Sequence, residues 1–132
     1  MIIRTLKEAT DSRRRVTSKG WESVRLLLNE DNVGFSFHIT TIFQGAMLEM
    51  QYKHHFESVY CIHGEGEIVL VENKESHPVS PGTIYVLDKH DKHILYARTE
   101  MKLACVFNPA LHGSEVHDEN GSYPDLSDMN GG

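Results

Sequence analysis

The sequence predicts an all-β sandwich or barrel. Three observations carry that prediction: short alternating runs, turn residues at regular spacing, and no helical stretch between the runs. The sharpest run is Val33-Gly34-Phe35-Ser36-Phe37-His38-Ile39-Thr40, where aromatic and aliphatic residues alternate with polar ones at the two-residue period of a strand. Similar runs follow at 47–52, 58–62, 67–71, 83–87, 93–97 and 102–107. Between them stand Asn32, Gly45, Gly64 with Gly66, Asn73, Pro81-Gly82, Asp91 and Asn108-Pro109, all residue types suited to turns. Segment 21–28 fits either period. As a helix it stacks Trp21 on Arg25 at i, i+4; as a strand it puts Trp21, Ser23 and Arg25 on one face. Gly20 before it and the Asn29-Glu30-Asp31-Asn32 turn after it favour a hairpin strand. Trp21 and Arg25 point the same way in both cases.

A chain of 132 residues is one domain by length and can bury roughly two-thirds of its unfolded surface. The net charge of −6, with no basic stripe, argues against nucleic acid as a partner. Arg13, Arg14 and Arg15 are the one local basic cluster and read as a solvated turn or strand edge. No apolar run approaches a membrane span, and the N-terminus lacks the pattern of a signal peptide. Cys61 and Cys105 sit in apolar runs and read as reduced thiols, which places the chain in the cytoplasm. From Asp118 onward almost nothing is apolar, so residues 118–132 are expected to be a flexible tail after a single domain at 1–117.

Residues 45–97 resemble the two motifs of the cupin superfamily, which implies a small barrel of the double-stranded β-helix or jelly-roll type. In the first motif a Glu is followed by six residues and a Gly, as Glu57 is by Gly64. The two histidine positions before it fall on Met50 and Tyr52, so both histidines are missing, and His54 and His55 are out of register. In the second motif, counted from Gly82, the Pro position falls on Asp88, the Gly position on His90 and the His position on His93. Glu57 and His93 alone make an incomplete metal site, since catalytic sites usually keep three protein ligands. Tyr85, three residues past Gly82 and eight before His93, can face the lumen as His93 does and is a candidate third ligand. An inward tyrosine is also an ordinary core aromatic whose hydroxyl finds a hydrogen bond.

The stretch from Tyr52-Lys53-His54-His55-Phe56-Glu57 to Gly64-Glu65-Gly66-Glu67 is similar to the ectoine synthase family within the cupins. So are Pro81-Gly82 with Ile84-Tyr85, Leu87-Asp88, His90-Asp91 and His93, then Leu103-Ala104-Cys105-Val106-Phe107, and Gly113 with Glu115-Val116-His117. The resemblance runs from about Trp21 to Tyr123. It implies one ferrous ion per chain, with another divalent metal as the alternative, held by Glu57, Tyr85 and His93. It also implies substrate contacts at Trp21, Arg25, Thr40, Tyr52, Cys105, Phe107, Glu115 and His117, and assembly as a homodimer. Without it, Cys105 and Phe107 read as core residues and His117 as a tail histidine.

The reaction the resemblance implies is cyclisation of N-γ-acetyl-L-2,4-diaminobutyrate to ectoine, in which the α-amino group attacks the molecule's own acetamide and water is lost. Arg25 suits the substrate carboxylate, because a guanidinium binds it bidentately. Tyr52, Glu115 and His117 are the candidate catalytic residues, with Glu115 or His117 removing the α-ammonium proton. The segment that carries them is a candidate lid. Most of the other histidines read as solvated; His55 is the one expected near Glu57. Two other classes compete: a cupin using iron and dioxygen on another small molecule, and a cupin that senses a ligand without turning it over.

Overall fold

The computed structural model describes residues 1–113. Two antiparallel sheets face each other. The larger has six strands in the order β1-β2-β3-β10-β5-β8, and the smaller has four in the order β4-β9-β6-β7. The strands are β1 (Arg15–Ser18), β2 (Trp21–Leu27), β3 (Ser36–Ile42), β4 (Met47–Met50), β5 (Phe56–His63), β6 (Gly66–Leu70), β7 (Ser76–Val79), β8 (Ile84–Leu87), β9 (His93–Ala97) and β10 (Met101–Asn108). A short helix α1 (Leu6–Thr10) precedes them, and a 3-10 turn at Asn29–Asp31 joins β2 to β3. Segment 21–28 is therefore a strand hairpinned with β1, as its flanking turns imply.

The core lies between the sheets. Val59, Cys61, Leu103, Cys105 and Phe107 bury from the larger sheet, and Ile68, Leu95 and Ala97 from the smaller. Along β5 and β10 burial alternates residue by residue, so the two-residue period chooses which side chains reach the lumen. In β3 the alternation is reversed from the usual sense. Ser36 and His38 are buried, whereas Phe37 and Ile39 are only half-buried, as is Thr40; Val33 and Phe35, which precede the strand, are exposed. Two buried polar side chains on a strand are the informative feature here.

The two motif turns keep their geometry where their residues changed. His90, at the Gly position of the second motif, has φ 55°, the left-handed conformation for which glycine is usual. Its Nδ1–H donates to the Tyr52 carbonyl at 2.7 Å, and its ring stacks on Phe56 with centroids 5.0 Å apart. These contacts tie the loop before His93 to the loop before Glu57. Gly64, in the first motif, has φ 89°, and a Cβ there would run into the Glu100 carbonyl.

Three features depart from the sequence reading. Helix α1, capped by the Thr5 hydroxyl on the Glu8 N–H, is only five residues long and too short to show a period. Strand β7 contains Pro78, which an edge strand tolerates and an inner one does not. Arg14 is buried and not solvated. Its guanidinium reaches Glu30 at 2.8 Å and Asp31 at 3.2 Å, while Arg13 and Arg15 stay exposed. Burial alone would raise the Asp31 pKa. The Leu28 N–H and the charges of Arg4 and Arg14 outweigh it, and the carboxyl lies below its ordinary value.

Candidate active site

A narrow cavity opens between the sheets. Trp21 on β2, Thr40 on β3, Cys105 and Phe107 on β10, Glu57 on β5, Tyr85 on β8 and Tyr52 in the loop after β4 all line it. Strand register explains the convergence. Glu57 pairs with Leu87 and Val59 with Tyr85, so Glu57 and Tyr85 are diagonal neighbours on the lumen face. One row across the sheet runs Arg25, His38, Cys105, Val59 and Tyr85, and the next runs Ser36, Phe107, Glu57 and Leu87.

His93 comes from the opposite sheet, paired with Met50 and Leu70, and is fully buried. Its ring lies 5.8 Å from that of Tyr52. The Nδ1–H donates to the Asp91 carbonyl at 3.0 Å, which leaves Nε2 as a lone pair with no hydrogen-bond partner among the described residues. A buried imidazole fixed in that tautomer is the arrangement of a metal ligand. Burial lowers its pKa, which keeps the ring neutral and available.

The other two candidate ligands carry their protons in this environment. Burial pushes Glu57 up to about 8, partly offset by the Cys105 thiol beside it. Tyr85 is partly exposed as a residue, yet burial around its hydroxyl and the nearby Glu57 charge push its pKa well above the ordinary value. Cys105 lies between Glu57 and Thr40, its Sγ 3.7 Å from Thr40 Oγ1, and burial raises its pKa so that it stays a thiol. Among the described residues no three His, Cys, Asp or Glu side chains converge. Tyr85 is the further oxygen donor that lines this cavity beside Glu57.

The raised Glu57 pKa has a consequence for stability. In the metal-free protein the folded state keeps a proton that the unfolded chain loses near 4.5. Between that value and about 8 the folded state binds more protons, so this group makes stability fall as pH rises through the window. Thermal melts of the metal-free chain against pH should show the loss, and Glu57→Gln should flatten it. A wild-type profile no steeper than that of Glu57→Gln would contradict a neutral buried carboxyl.

Phe107 divides the lumen. Its ring meets Tyr52 edge-on at 5.2 Å, His55 edge-on at 5.9 Å and His38 at 5.1 Å. Arg25 does not line the cavity. It is fully buried beside His38, with Nε donating to Ser23 Oγ at 3.3 Å and Nη1 donating to the Gly113 carbonyl at 2.7 Å. The Tyr52 hydroxyl donates to Met50 Sδ at 3.2 Å, and both residues line the cavity. His55, just before β5, is buried, whereas His54 is exposed. Glu115 and His117, and the segment expected as a lid and a tail, lie outside the described residues. His38 was not singled out by sequence; its place on the polar face of an alternating run was the available signal.

A barrel of two facing antiparallel sheets with its candidate ligands turned into the lumen is a cupin. The Cnp3 cupin domain of Schizosaccharomyces pombe, 13% identical, superposes with a TM-score of 0.59 over 70% of this chain and 66% of that one. A model of the ectoine synthase family matches residues 1–127. The L-ectoine synthase of Saccharophagus degradans is 65% identical over 94% of both chains, and that of Aliivibrio fischeri strain ES114 is 61% identical over 96% of this chain and 99% of its own. The crystal structure of an ectoine synthase from P. lautus, 49% identical, superposes with a TM-score of 0.86 over 92% of this chain and 87% of that one. The chain belongs to the ectoine synthase family, a family of hydro-lyases.

Proposed function

We propose that the chain closes N-γ-acetyl-L-2,4-diaminobutyrate into ectoine with loss of water, and that Glu57, Tyr85 and His93 hold one ferrous ion, or another divalent metal, for that reaction. The observation that carries the reading is the buried His93 Nε2, fixed as an acceptor with no partner among the described residues, on a ring 5.8 Å from that of Tyr52, which lines the cavity with Glu57 and Tyr85. When bound, the metal supplies Lewis acidity toward an amide oxygen and no change of redox state.

The chain's own residues supply position. An open substrate must fold back so that its amine reaches its own acetamide carbon, and a narrow lumen walled by Trp21, Tyr52 and Phe107 favours the curled conformer. The Arg25 guanidinium favours the carboxylate at the other end. Thr40 and the Cys105 thiol offer neutral polar contacts, and Cys105 is no nucleophile in its buried, protonated form. Removal of the α-ammonium proton falls to Glu115 or His117, with Tyr52 as the third candidate, because attack needs a neutral amine.

Two further readings accompany the site. Two buried free cysteines support a reducing compartment, the cytoplasm. Strand β8, an edge strand with Ile84 and Val86 exposed, supports a homodimer that covers it. No helix among the described residues is long and apolar enough to cross a membrane.

The deciding experiment is iron-loaded protein incubated with the acetylated diamino acid under strict exclusion of oxygen. Formation of the cyclic product, lighter by one water, is expected. Turnover only when dioxygen is admitted would point to an oxygenase, and binding without turnover to a sensor.

A further inference from the structure

Two loops cross between the sheets beside the proposed ligands. Residues 51–55 run from β4 of the smaller sheet to β5 of the larger, and residues 88–92 run from β8 of the larger to β9 of the smaller. The three proposed ligands lie on the strands these loops join: Glu57 on β5, Tyr85 on β8 and His93 at the start of β9. Backbone ladders fix spacings within each sheet, but none among the described residues runs from one sheet to the other. Apart from core packing, the spacing of His93 from Glu57 and Tyr85 is set by contacts between the loops.

Those contacts are reciprocal. His90 Nδ1–H donates to the Tyr52 carbonyl at 2.7 Å, and the Gln51 amide Nε2–H donates back to the His90 carbonyl at 3.2 Å. A carbonyl only accepts, so both donors are fixed. The His90 ring also stacks on Phe56, its plane 27° from parallel. The next two carbonyls are engaged as well: Asp91 accepts from His93 Nδ1–H at 3.0 Å, and Lys92 from the Val71 N–H at 3.0 Å. Three successive carbonyls thus each hold a different partner. A loop pinned at so many points can keep His90 in left-handed backbone at φ 55°, which a residue with a side chain adopts only where its surroundings impose it.

We infer that His90 and Gln51 are positioning residues: they latch the two sheets together and so set where the His93 imidazole stands relative to Glu57 and Tyr85. The inference rests on the reading of those three residues as metal ligands. Neither His90 nor Gln51 lines the cavity. Both act through backbone, His90 on the Tyr52 carbonyl and Gln51 on the loop whose next carbonyl orients His93. Groups that orient a ligand in this way govern metal affinity by about 10- to 100-fold.

Three substitutions separate the hydrogen bonds from the stack and the backbone. His90→Gly removes the ring and suits the left-handed conformation better than histidine does. His90→Asn also tolerates that conformation, and its amide nitrogen stands where Nδ1 stood, so the donor returns without the stack. Gln51→Met keeps the length and loses the donor. Titration of the full chain with cobalt(II) against a chelator should show affinity about 10- to 100-fold weaker in His90→Gly, mostly recovered in His90→Asn, and weaker again in Gln51→Met. At saturating cobalt the visible bands of His90→Gly should shift from those of the wild type, which lost stability alone would not produce. Wild-type affinity and bands in His90→Gly, or no recovery in His90→Asn, overturn the inference.

A second measurement needs no metal. Amide hydrogen exchange in the metal-free full chain should quicken by about tenfold in His90→Gly, as loss of a hydrogen bond implies, and at both loops, with β2 and β3 unchanged. Acceleration at residues 88–92 alone means that the loops are not latched, and overturns the inference even where the wild type binds metal as read. A wild-type chain that takes up no cobalt overturns the ligand reading, and the inference with it.

Discussion

Tyr85→Phe should abolish activity and strip the metal while leaving the fold intact. The substitution removes one oxygen and keeps the ring that packs against the core. Changes to groups that merely orient a metal ligand cost about 10- to 100-fold in affinity or activity, so loss of a ligand should exceed 100-fold in both. The metal-free variant should melt no lower than metal-free wild type, since the phenol it loses sits where burial and the Glu57 charge disfavour its ionised form. Iron per chain by elemental analysis, initial rates without oxygen, and melting curves of the metal-free proteins are the three readings needed. If the variant keeps both iron and activity, Tyr85 is a core aromatic and the ligand set is wrong. His93→Ala and Glu57→Ala should deplete metal and activity together in the same way.

Arg25→Ala should behave differently: metal content preserved, KM raised by about two orders of magnitude, as loss of a charge-assisted pair to a carboxylate implies. Arg25 also holds the Gly113 carbonyl and the Ser23 hydroxyl from a fully buried position. Removing it leaves both without that donor, so stability should drop by about 1–3 kcal/mol as well. Arg25→Lys separates the two effects. It keeps the charge but not the planar fork, and should still raise KM with a smaller loss of stability. Measurements of KM, kcat, iron and denaturant midpoint on both variants check this; loss of iron in Arg25→Lys would instead put Arg25 among the supports of the metal.

Tertiary context governs how the two families of variants differ. Tyr85 and Glu57 are diagonal neighbours on adjacent strands of the larger sheet, whereas His93 lies on β9 of the smaller one. Arg25 is placed by a strand four positions away in the larger sheet, behind Phe107. The proposed ligands and Arg25 are thus held by different strands and can be perturbed separately.

Much of the fold was legible because a strand writes its period into the chain: the alternation at 33–40 marked β3, which begins three residues later at Ser36, and the turn at Pro81-Gly82 needed no tertiary information. The motif spacings likewise marked Glu57 and His93, and resemblance to the ectoine synthases added Tyr85. Other features left no local trace. The N-cap at Thr5 opens a helix too short for periodicity, and Pro78 hides a strand that is tolerated only because it lies at an edge. Arg14 reads as a surface residue until Glu30 and Asp31 close over it.

What the sequence determined by itself was which residues share a face, since backbone geometry fixes that at two-residue intervals. Which face turns inward was decided by the tertiary structure. Around most of the barrel the apolar face is buried, as hydrophobic transfer demands. On β3 the polar residues Ser36 and His38 are buried instead, because Ser23 and Arg25 on β2 and the Leu111 N–H after β10 meet them there, partners that no local pattern reveals.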